Sequence, residues 1–272
     1  MSEKLNTETA DLSETPKKPH WLVRLYHWSN TWTGTVVIVL MVIFFIAQAF
    51  VIPSGSMKNT LLIGDHLFVK KFAYGVPVPH IPWLEIPVGF DTDGDGHIIA
   101  SEGPKRGDIV IFRYPRNEKI HYVKRCVAVG GDILFLHNKV LYLHPHEGND
   151  WIAAHYPKEK IVDYRGILFV KNPYRDDFPG IHNDPKVTDD GYQPIEIFEF
   201  GPIKVEENHW FMMGDNRDHS NDSRFWGTVP YRLIVGKPWF IYFSWDENYT
   251  IRWDRIGREI DTLQREEPRY VE

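Results

Sequence analysis

An uncharged, apolar run over residues 34–52 is the feature that most constrains how this chain can fold. Only Thr35 and Gln48 interrupt it with polar side chains. As a helix, the run is long enough to cross the hydrocarbon core of a lipid bilayer. The sequence therefore predicts one N-terminal transmembrane helix at residues 34–52.

The flanks of the run favour a retained anchor over a signal peptide that is removed. The run exceeds a typical signal-peptide core, a polar cytoplasmic tail and an interfacial aromatic segment at residues 1–33 precede it, and no clean small-x-small cleavage site follows. Pro53 is expected to end the helix, because proline disfavours helical geometry in the residue before it. Three aromatic side chains are placed as an interfacial belt before the run: Trp21, Trp28 and Trp32.

Charge does not decide the orientation of this anchor. Lys17, Lys18 and Arg24 precede the run, and Lys58, Lys70 and Lys71 follow it. Long folded domains translocate largely regardless of charge, so residues 53–272 can lie on the extracytoplasmic side. Cys126 is the only cysteine, which excludes an intrachain disulfide in any compartment.

Residues 53–272 suffice for one large domain or for a domain with a subdomain. The formal net charge of -6 provides no basic patch suited to a nucleic-acid partner. Short runs rich in β-branched and aromatic residues, separated by turn residues, predict a mainly β, antiparallel fold. The predicted strands are 67–72, 109–114, 120–129, 133–136, 140–143, 210–213, 231–235 and 238–243.

Two segments depart from this strand pattern. The stretch from residue 144 to about residue 205 is rich in loop-forming residues and is interpreted as a variable insertion. Residues 256–272 are charged and are compatible with a short helix or a solvated face.

Lys124 is the chemically informative residue of the strand predicted at 120–129. Side chains alternate along a strand, so Lys124 shares a face with Tyr122 and Cys126, and Val123 points away from it. Burial on this face would lower the lysine pKa toward the range of a general base. The strand alone favours a simpler interpretation, a lysine that reaches water along its stem.

Ser56 is the candidate nucleophile that would give Lys124 a role, because a serine hydroxyl needs a nearby base. Ser54, two residues earlier, is placed to donate to an oxyanion. Taken alone, Ser54-Gly55-Ser56 is an ordinary loop sequence.

A dense polar segment at residues 214–227 lies between two apolar strands. Its Asp, Asn and Ser side chains predict a tightly hydrogen-bonded loop, although a solvated turn or a cation site fits the composition too. Asp222 and Arg224 are placed to form a structural ion pair. Ser220 is placed to form a hydrogen bond with a lysine.

Together, these ordered segments resemble the bacterial type I signal peptidases. The segments are residues 54–57, 60–65, 106–110, 122–125, 131–132 and 214–230. The resemblance implies a membrane-bound serine endopeptidase of largely β fold that needs no cofactor for catalysis. It also implies that signal-peptide-bearing preproteins and the lipid bilayer are the partners, with the protease domain outside the cytoplasmic (inner) membrane. Larger members often have two spans, whereas this sequence predicts a single-pass anchor.

The resemblance also assigns roles to individual residues. Ser56 takes the position of the nucleophile, Lys124 that of the general base, and Ser54 that of the oxyanion-hole hydroxyl. Ser220 takes the position of the serine that orients the lysine, and Asp222 and Arg224 those of structural residues. The family prefers small side chains at the first and third positions before the cut, for which we expect shallow pockets lined by Phe50, Ile52, Met57, Leu61 and Val123.

Residues 91–102 fit the pattern of a twelve-residue calcium loop outside the family motifs. The ligands would be Asp91, Asp93, Asp95 and Glu102. Nearby proline and glycine residues argue against the paired helices of an EF-hand, so a bound calcium ion would be a structural clip. The alternative is an acidic hairpin loop that binds nothing tightly.

Two alternatives to the Ser/Lys peptidase remain at this point. A Ser/His site would use His121 or His219, but strand alternation sets His121 opposite Lys124, and His219 lies in a polar turn. The other alternative is a non-proteolytic, membrane-anchored β domain, with or without calcium, that binds partners.

Overall fold

The computed structural model describes residues 20–41, 47–81, 86–87 and 94–270. The chain divides into two compact units, Met1–Val42 and Ile43–Glu272. The first unit contains two short helices in its described part, α1 (Trp21–Ser29) and α2 (Trp32–Met41). Thr31 caps the N-terminus of α2, because its Oγ1 accepts a hydrogen bond from the backbone N–H of Gly34 at 3.1 Å.

The apolar side chains of α2 are largely uncovered. From Val36 to Met41 the exposed fraction of each side chain lies between 38% and 56%, and Trp32 is 82% exposed. Among the residues that the structure describes, no helix combines the length and the apolar character needed to cross a membrane.

The helix predicted over residues 34–52 is therefore wrong for its last part. Residues 42–46 lie outside the described residues, and Ala47–Val51 forms a strand, β1. β1 pairs antiparallel with β2 (Asp65–Lys70), with Ala47 opposite Lys70 and Val51 opposite His66. The strand forms because β2 supplies hydrogen-bond partners for its backbone, and an isolated apolar run does not reveal such a partner. Pro53 follows this strand.

The second unit is built from short strands. After β1 and β2 they are β3 (Val76–Pro77), β4 (His80–Ile81), β5 (Ile86–Pro87), β6 (His97–Ile99), β7 (Ile109–Tyr114), β8 (Asn117–Val129), β9 (Ile133–His137), β10 (Val140–His144), β11 (Ile161–Tyr164), β12 (Ile167–Lys171), β13 (Phe200–Lys204), β14 (His209–Met213), β15 (Val229–Pro230) and β16 (Ile234–Ser244). Its helices are α3 (Asn149–His155), α4 (Ser223–Trp226) and α5 (Ile260–Leu263).

Two larger sheets and two small two-stranded sheets organise the described strands. One larger sheet has the order β1-β2-β16-β7-β8-β14-β15, and the other has the order β11-β12-β10-β9-β13. β3 pairs with β6 in one small sheet, and β4 pairs with β5 in the other. Every pairing between these described strands is antiparallel. The predicted mainly β, antiparallel class is confirmed.

Strand boundaries differ from the prediction in the last third of the chain. Residues 231–235 and 238–243 were expected to form two strands, but Ile234–Ser244 is continuous and is preceded by a 3₁₀ turn, Tyr231–Leu233. The helix expected within 256–272 is limited in the described residues to the four residues of α5.

The stretch from 144 to 205 is more ordered than its loop-rich sequence suggests. It contributes α3, the hairpin of β11 and β12, and β13, which pairs with β9. These strands complete the second sheet with the hairpin of β9 and β10. β12 pairs with β10 and β13 pairs with β9, and periodicity within the stretch does not show these partners before it.

A hydrophobic core lies beneath the turn that follows β1. Its buried side chains are Ile52, Met57, Leu61, Leu67, Val69, Ile109, Ile111, Val235, Ile241 and Ile260. Burial of so many large side chains, six of them from the three strands β2, β7 and β16, fixes the position of this turn, because each methylene removed from water stabilises the fold by about 0.8 kcal/mol.

Candidate active site

The turn that carries Ser56 is fixed by the core below it. Ser54 is extended and Gly55–Met57 makes one 3₁₀ turn. The side chain of Met57 is buried between Ile52 and Leu61, whereas Ser56 keeps 9% of its surface exposed. The nearly buried Ser56 is thereby held on a rigid support. We call Gly55–Met57 the serine turn.

Lys124 reaches the serine turn from β8. Its Nζ lies 2.6 Å from Ser56 Oγ and donates to the carbonyl oxygen of Val123 at 3.1 Å. The residue is only 4% exposed. Burial lowers the pKa of Lys124 to about 8, although the carboxylates of Asp222 and Asp215 act in the opposite direction. An appreciable fraction of this amine is neutral near physiological pH.

Two strand edges beside this pair lack a neighbouring strand in the described sheet. β8 pairs with β7 from Asn117 to Arg125, but it pairs with β14 only from Arg125 onward. The edge of β8 that precedes Arg125 is therefore open. β1 is the outer strand of its sheet and pairs only with β2.

A cleft of about 660 Å³ runs between these edges and past Ser56 and Lys124. Four of the five predicted pocket residues line it: Phe50, Ile52, Met57 and Val123. Leu61 is absent from this lining and packs in the core under the serine turn. Its part in the substrate pocket stays a prediction.

His121 and Val123 line the cleft together with Lys124, although alternation along β8 predicts opposite faces. The cleft follows the open edge of the strand, and side chains from both faces reach an edge. The ring of His121 packs edge-on against Phe50, with a centroid distance of 5.1 Å. His219 lines the same cleft.

Ser54 lies beside the Ser56 hydroxyl. Its Oγ is 3.5 Å from Ser56 Oγ, at the limit of a hydrogen bond. Because Ser54 precedes the serine turn in an extended conformation, its side chain faces the cleft that it helps to line. The hydroxyl is placed to donate to an oxygen that binds near Ser56.

Residues 214–222, which we call the site loop, hold the backbone of the serine turn. The N–H of Asn216 donates to the carbonyl oxygen of Ser56, and its side-chain amide donates to that of Gly55, both at 3.1 Å. Only glycine fits at Gly214, since a Cβ there would lie 2.4 Å from the Ser56 carbonyl oxygen.

Asp222 and Arg224 form the buried ion pair that the sequence suggests. Arg224 Nε and Nη2 donate to the Asp222 carboxylate at 2.8 and 2.9 Å. Asp222 also accepts from the N–H of Gly214 at 3.1 Å, which ties the pair to the site loop. Burial raises the pKa of Asp222, but the Arg224 guanidinium outweighs it and holds the pKa below its ordinary value.

Ser220 lies buried in the site loop beside this pair. Its Oγ would lie 2.3 Å from a Cβ at Gly214, and its hydroxyl helps to lower the pKa of Asp222. Within the described residues, no hydrogen bond joins Ser220 Oγ to Lys124 Nζ. The predicted role of Ser220 in orienting the lysine stays a prediction.

The pair of Arg125 and Asp215 was missed from the sequence. Arg125 Nε and Nη2 donate to Asp215 at 2.8 and 2.7 Å, and both side chains are fully buried. Thr60 Oγ1 donates to the same carboxylate at 2.6 Å. Asp215 thus joins β8, the segment after the serine turn and the site loop. The sequence offers one signal for such a pair, which is an arginine between Val123 and Val127 in an apolar strand. A charged side chain that is buried in a strand of this kind requires a partner.

The calcium loop lies partly outside the described residues, because Asp91 and Asp93 are not described. Asp95 Oδ1 accepts a hydrogen bond from the N–H of His97 at 2.8 Å. In the described part of the chain, neither Asp95 nor Glu102 belongs to a group of three potential metal ligands. Calcium binding has no support from these contacts and stays a prediction.

Asp132, His146 and Glu147 do form such a group. The guanidinium of Arg106 occupies its centre, since Nη2 lies 2.6 Å from Asp132, 2.8 Å from Glu147 and 2.9 Å from His146 Nδ1. An arginine therefore supplies the positive charge that a metal ion would otherwise provide.

The sequence is similar to known proteins over most of its length. The family described as Signal peptidase, peptidase S26, matches residues 25–245. Signal peptidase I of Helicobacter pylori (strain ATCC 700392 / 26695) is 42% identical, over 90% of this chain and 96% of that protein. Signal peptidase I of Pseudomonas fluorescens is 32% identical over 86% and 78%. Signal peptidase I of Aquifex aeolicus (strain VF5) is 34% identical over 76% and 81%.

These matches confirm the resemblance drawn from the motifs, and they favour a peptidase over a non-proteolytic β domain. Three of the six motif segments, residues 54–57, 122–125 and 214–230, contribute to the lining of one cleft that holds Ser56 and Lys124. The chain belongs to the signal peptidase family, peptidase S26, and is a serine peptidase.

Proposed function

We propose that this protein cleaves signal peptides from exported preproteins, with Ser56 as the nucleophile and Lys124 as its general base. The observation that carries the proposal is the 2.6 Å separation of Lys124 Nζ and Ser56 Oγ within an open cleft. Such a distance is within hydrogen-bond reach, which proton transfer requires. The lowered pKa of Lys124 supports the same roles.

In the first step, neutral Lys124 accepts the hydroxyl proton as Ser56 Oγ attacks the scissile carbonyl carbon. The carbonyl oxygen becomes an oxyanion, and the C–N bond then breaks. Lys124 returns the proton to the leaving amine, which becomes the new N-terminus of the mature protein. An acyl ester remains on Ser56.

In the second step, Lys124 takes a proton from a water molecule that attacks the ester. The ester C–O bond breaks, Ser56 regains its proton from Lys124, and the signal peptide leaves as a carboxylate. Ser54 Oγ, 3.5 Å from Ser56 Oγ, would stabilise both oxyanions together with the backbone N–H of Ser56. Ser220, Asp222 and Arg224 would keep the surroundings of the lysine in place.

The substrate would bind as an extended strand between the open edges of β1 and β8. Unpaired backbone groups on both edges can hydrogen-bond such a peptide without regard to its side chains. Phe50, Ile52, Met57 and Val123 line the cleft and would form shallow apolar pockets. Such pockets fit small side chains before the cut.

We also propose that the N-terminal apolar residues hold the protein on the cytoplasmic (inner) membrane, with the protease unit on the extracytoplasmic side. The exposed apolar side chains of α2 support contact with lipid. The bilayer would be a partner in its own right, because cleavage sites of exported proteins emerge at a membrane surface.

Cleavage of a preprotein with Ala-x-Ala before the cut, measured in detergent, tests the assignment of the site. Ser56→Ala and Lys124→Ala should each abolish cleavage. Ser54→Ala should reduce kcat about a hundredfold, the usual cost of one oxyanion donor. Ser101→Ala, at an exposed serine outside the cleft, is the control and should cleave normally. Retained cleavage by the Ser56 or Lys124 variant would overturn the proposal.

A further inference from the structure

Residues 180–187 run alongside the site loop, although the chain between β12 and β13 matches none of the family motifs. The N–H of His182 donates to the carbonyl oxygen of Asp215 at 2.9 Å, and the N–H of Arg217 donates to that of His182 at 3.0 Å. His182 and Asn216 thereby form a parallel bridge. We call residues 180–187 the strap.

Asp218 fastens the strap to the site loop through a buried carboxylate. Its Oδ1 accepts from the side-chain amide of Asn183 at 2.9 Å. Its Oδ2 accepts from the N–H of Asp184 at 2.6 Å and from Lys139 Nζ at 3.0 Å. Two of these three donors belong to the strap, and charge-assisted bonds of this kind are stronger than neutral ones.

The strap also touches the chain just after the serine turn. His182 Nδ1 lies 3.1 Å from the side-chain amide of Asn59. At Gly180 a Cβ would lie 2.2 Å from Thr60 Oγ1, so the backbone of the strap packs directly on this segment. Thr60 Oγ1 is the group that donates to Asp215.

One strap contact reaches the catalytic cleft itself. His219 lines the cleft with Ser56 and Lys124, and its Nε2 lies 3.0 Å from Asp184 Oδ2. The strap therefore contacts the site loop at residues 215–219 and the segment after the serine turn at residues 59–60.

We infer that the strap is a positioning element of the active site, and that Asp218 is the positioning residue through which it holds the site loop against Ser56 and Lys124. The inference rests on the proposed catalytic roles of Ser56 and Lys124. A positioning role of the strap differs from a general contribution to folding. If the strap positions the active site, loss of its contacts must change the environment of Lys124.

The charged groups around Lys124 fix the sign of the expected change. Asp215 and Asp222 face it from the site loop, and His219 of the same loop and His121 of β8 line the shared cleft. The ring of Tyr122 lies 5.1 Å from Nζ. If a loosened site loop admits water, the pKa of Lys124 rises toward its ordinary value. Loss of the Asp218 negative charge alone would lower it.

The pH dependence of kcat/KM in full-length Asp218→Asn provides the test. If only part of the variant protein is folded and active, the height of this profile falls but its midpoint does not move. We expect the acid limb of the variant to move upward by about one pH unit, since water would restore part of the lysine hydration. A midpoint that is unchanged or lower would overturn the inference.

Asp132→Asn is the matched control, because Asp132 is a fully buried carboxylate with several donors outside the cleft. It should lower the melting temperature without moving the midpoint.

If Asp218→Asn fails to fold, Asn183→Ala is the second variant, because it removes one of the strap donors to Asp218. We expect it to raise the midpoint of the pH profile by less than one pH unit. An unmoved midpoint in this variant also overturns the inference. Cleavage by Ser56→Ala would instead contradict the catalytic roles themselves.

Discussion

At the scale of single residues, burial of Lys124 favours its role as a base but lowers the stability of the fold. Its amine is 4% exposed, and burial holds its pKa at about 8 against an ordinary value of 10.5. Below pH 8 the folded protein must keep a buried ammonium, a cost that the unfolded chain does not bear. The penalty is full below the folded pKa and disappears as the pH rises to the unfolded pKa.

Lys124→Met should therefore stabilise the fold while it removes activity. A difference of 2.5 pKa units, from 10.5 to about 8, corresponds to about 3 kcal/mol at pH 7. Urea unfolding at pH 7 and pH 10 measures the effect, and the advantage of the variant should shrink at the higher pH. A variant that is less stable at pH 7 would show that the amine stabilises the site.

Ser56 and Lys124 were predictable from the sequence because short motifs fix their neighbours. Asp215 was not identified as the partner of Arg125, because the two lie ninety positions apart and pair only in the folded chain. His121 and Lys124 line the same cleft although strand alternation sets them on opposite faces, because alternation describes the two faces of a strand and not its open edge.

At the scale of elements, β8 is the support on which the site is assembled. It presents Lys124 to the cleft and, one residue later, Arg125 to the interior. Arg125 contacts Asp215 of the site loop, and Asp215 accepts from Thr60 beyond the serine turn. One buried ion pair therefore joins the three segments that meet at Ser56.

Breaking the ion pair of Arg125 and Asp215 should destabilise the whole fold, and the active site with it. Asp215→Ala leaves the guanidinium of Arg125 buried without its partner, which typically costs about 3–5 kcal/mol. Chemical denaturation of the variant measures the loss. Arg232→Ala is the control, since its pair with Glu118 is about half exposed and should contribute at most about 1 kcal/mol. Equal effects of the two substitutions would contradict this account.

The apolar run at 34–52 shows why elements are harder to predict than motifs. Its residues suit a membrane helix and a buried strand equally well, and α2 and β1 each use part of it. The choice at 47–51 depends on β2, which lies outside the run. In the same way, β12 and β13 depend on partners, β10 and β9, that local periodicity does not display.

At the scale of the whole molecule, the N-terminal apolar residues should determine where the protein resides. Full-length protein should enter the detergent phase in a Triton X-114 partition. Val37→Asp combined with Leu40→Asp should move it to the aqueous phase, because a charge at the centre of a bilayer costs about 3 kcal/mol. Asp substitutions at the exposed Tyr164 and Ile167, outside that segment, are the control. Equal partition of both variants would contradict anchoring by this segment.

The central claim, that neutral Lys124 activates Ser56, is tested most directly by the pH dependence of kcat/KM for the unmodified protein. The activity requires the neutral amine, so it should rise with pH through a midpoint near 8, the pKa of Lys124 in the folded protein. A midpoint near 6.5, the ordinary pKa of histidine, would contradict the claim and would point to His121 or His219 as the base.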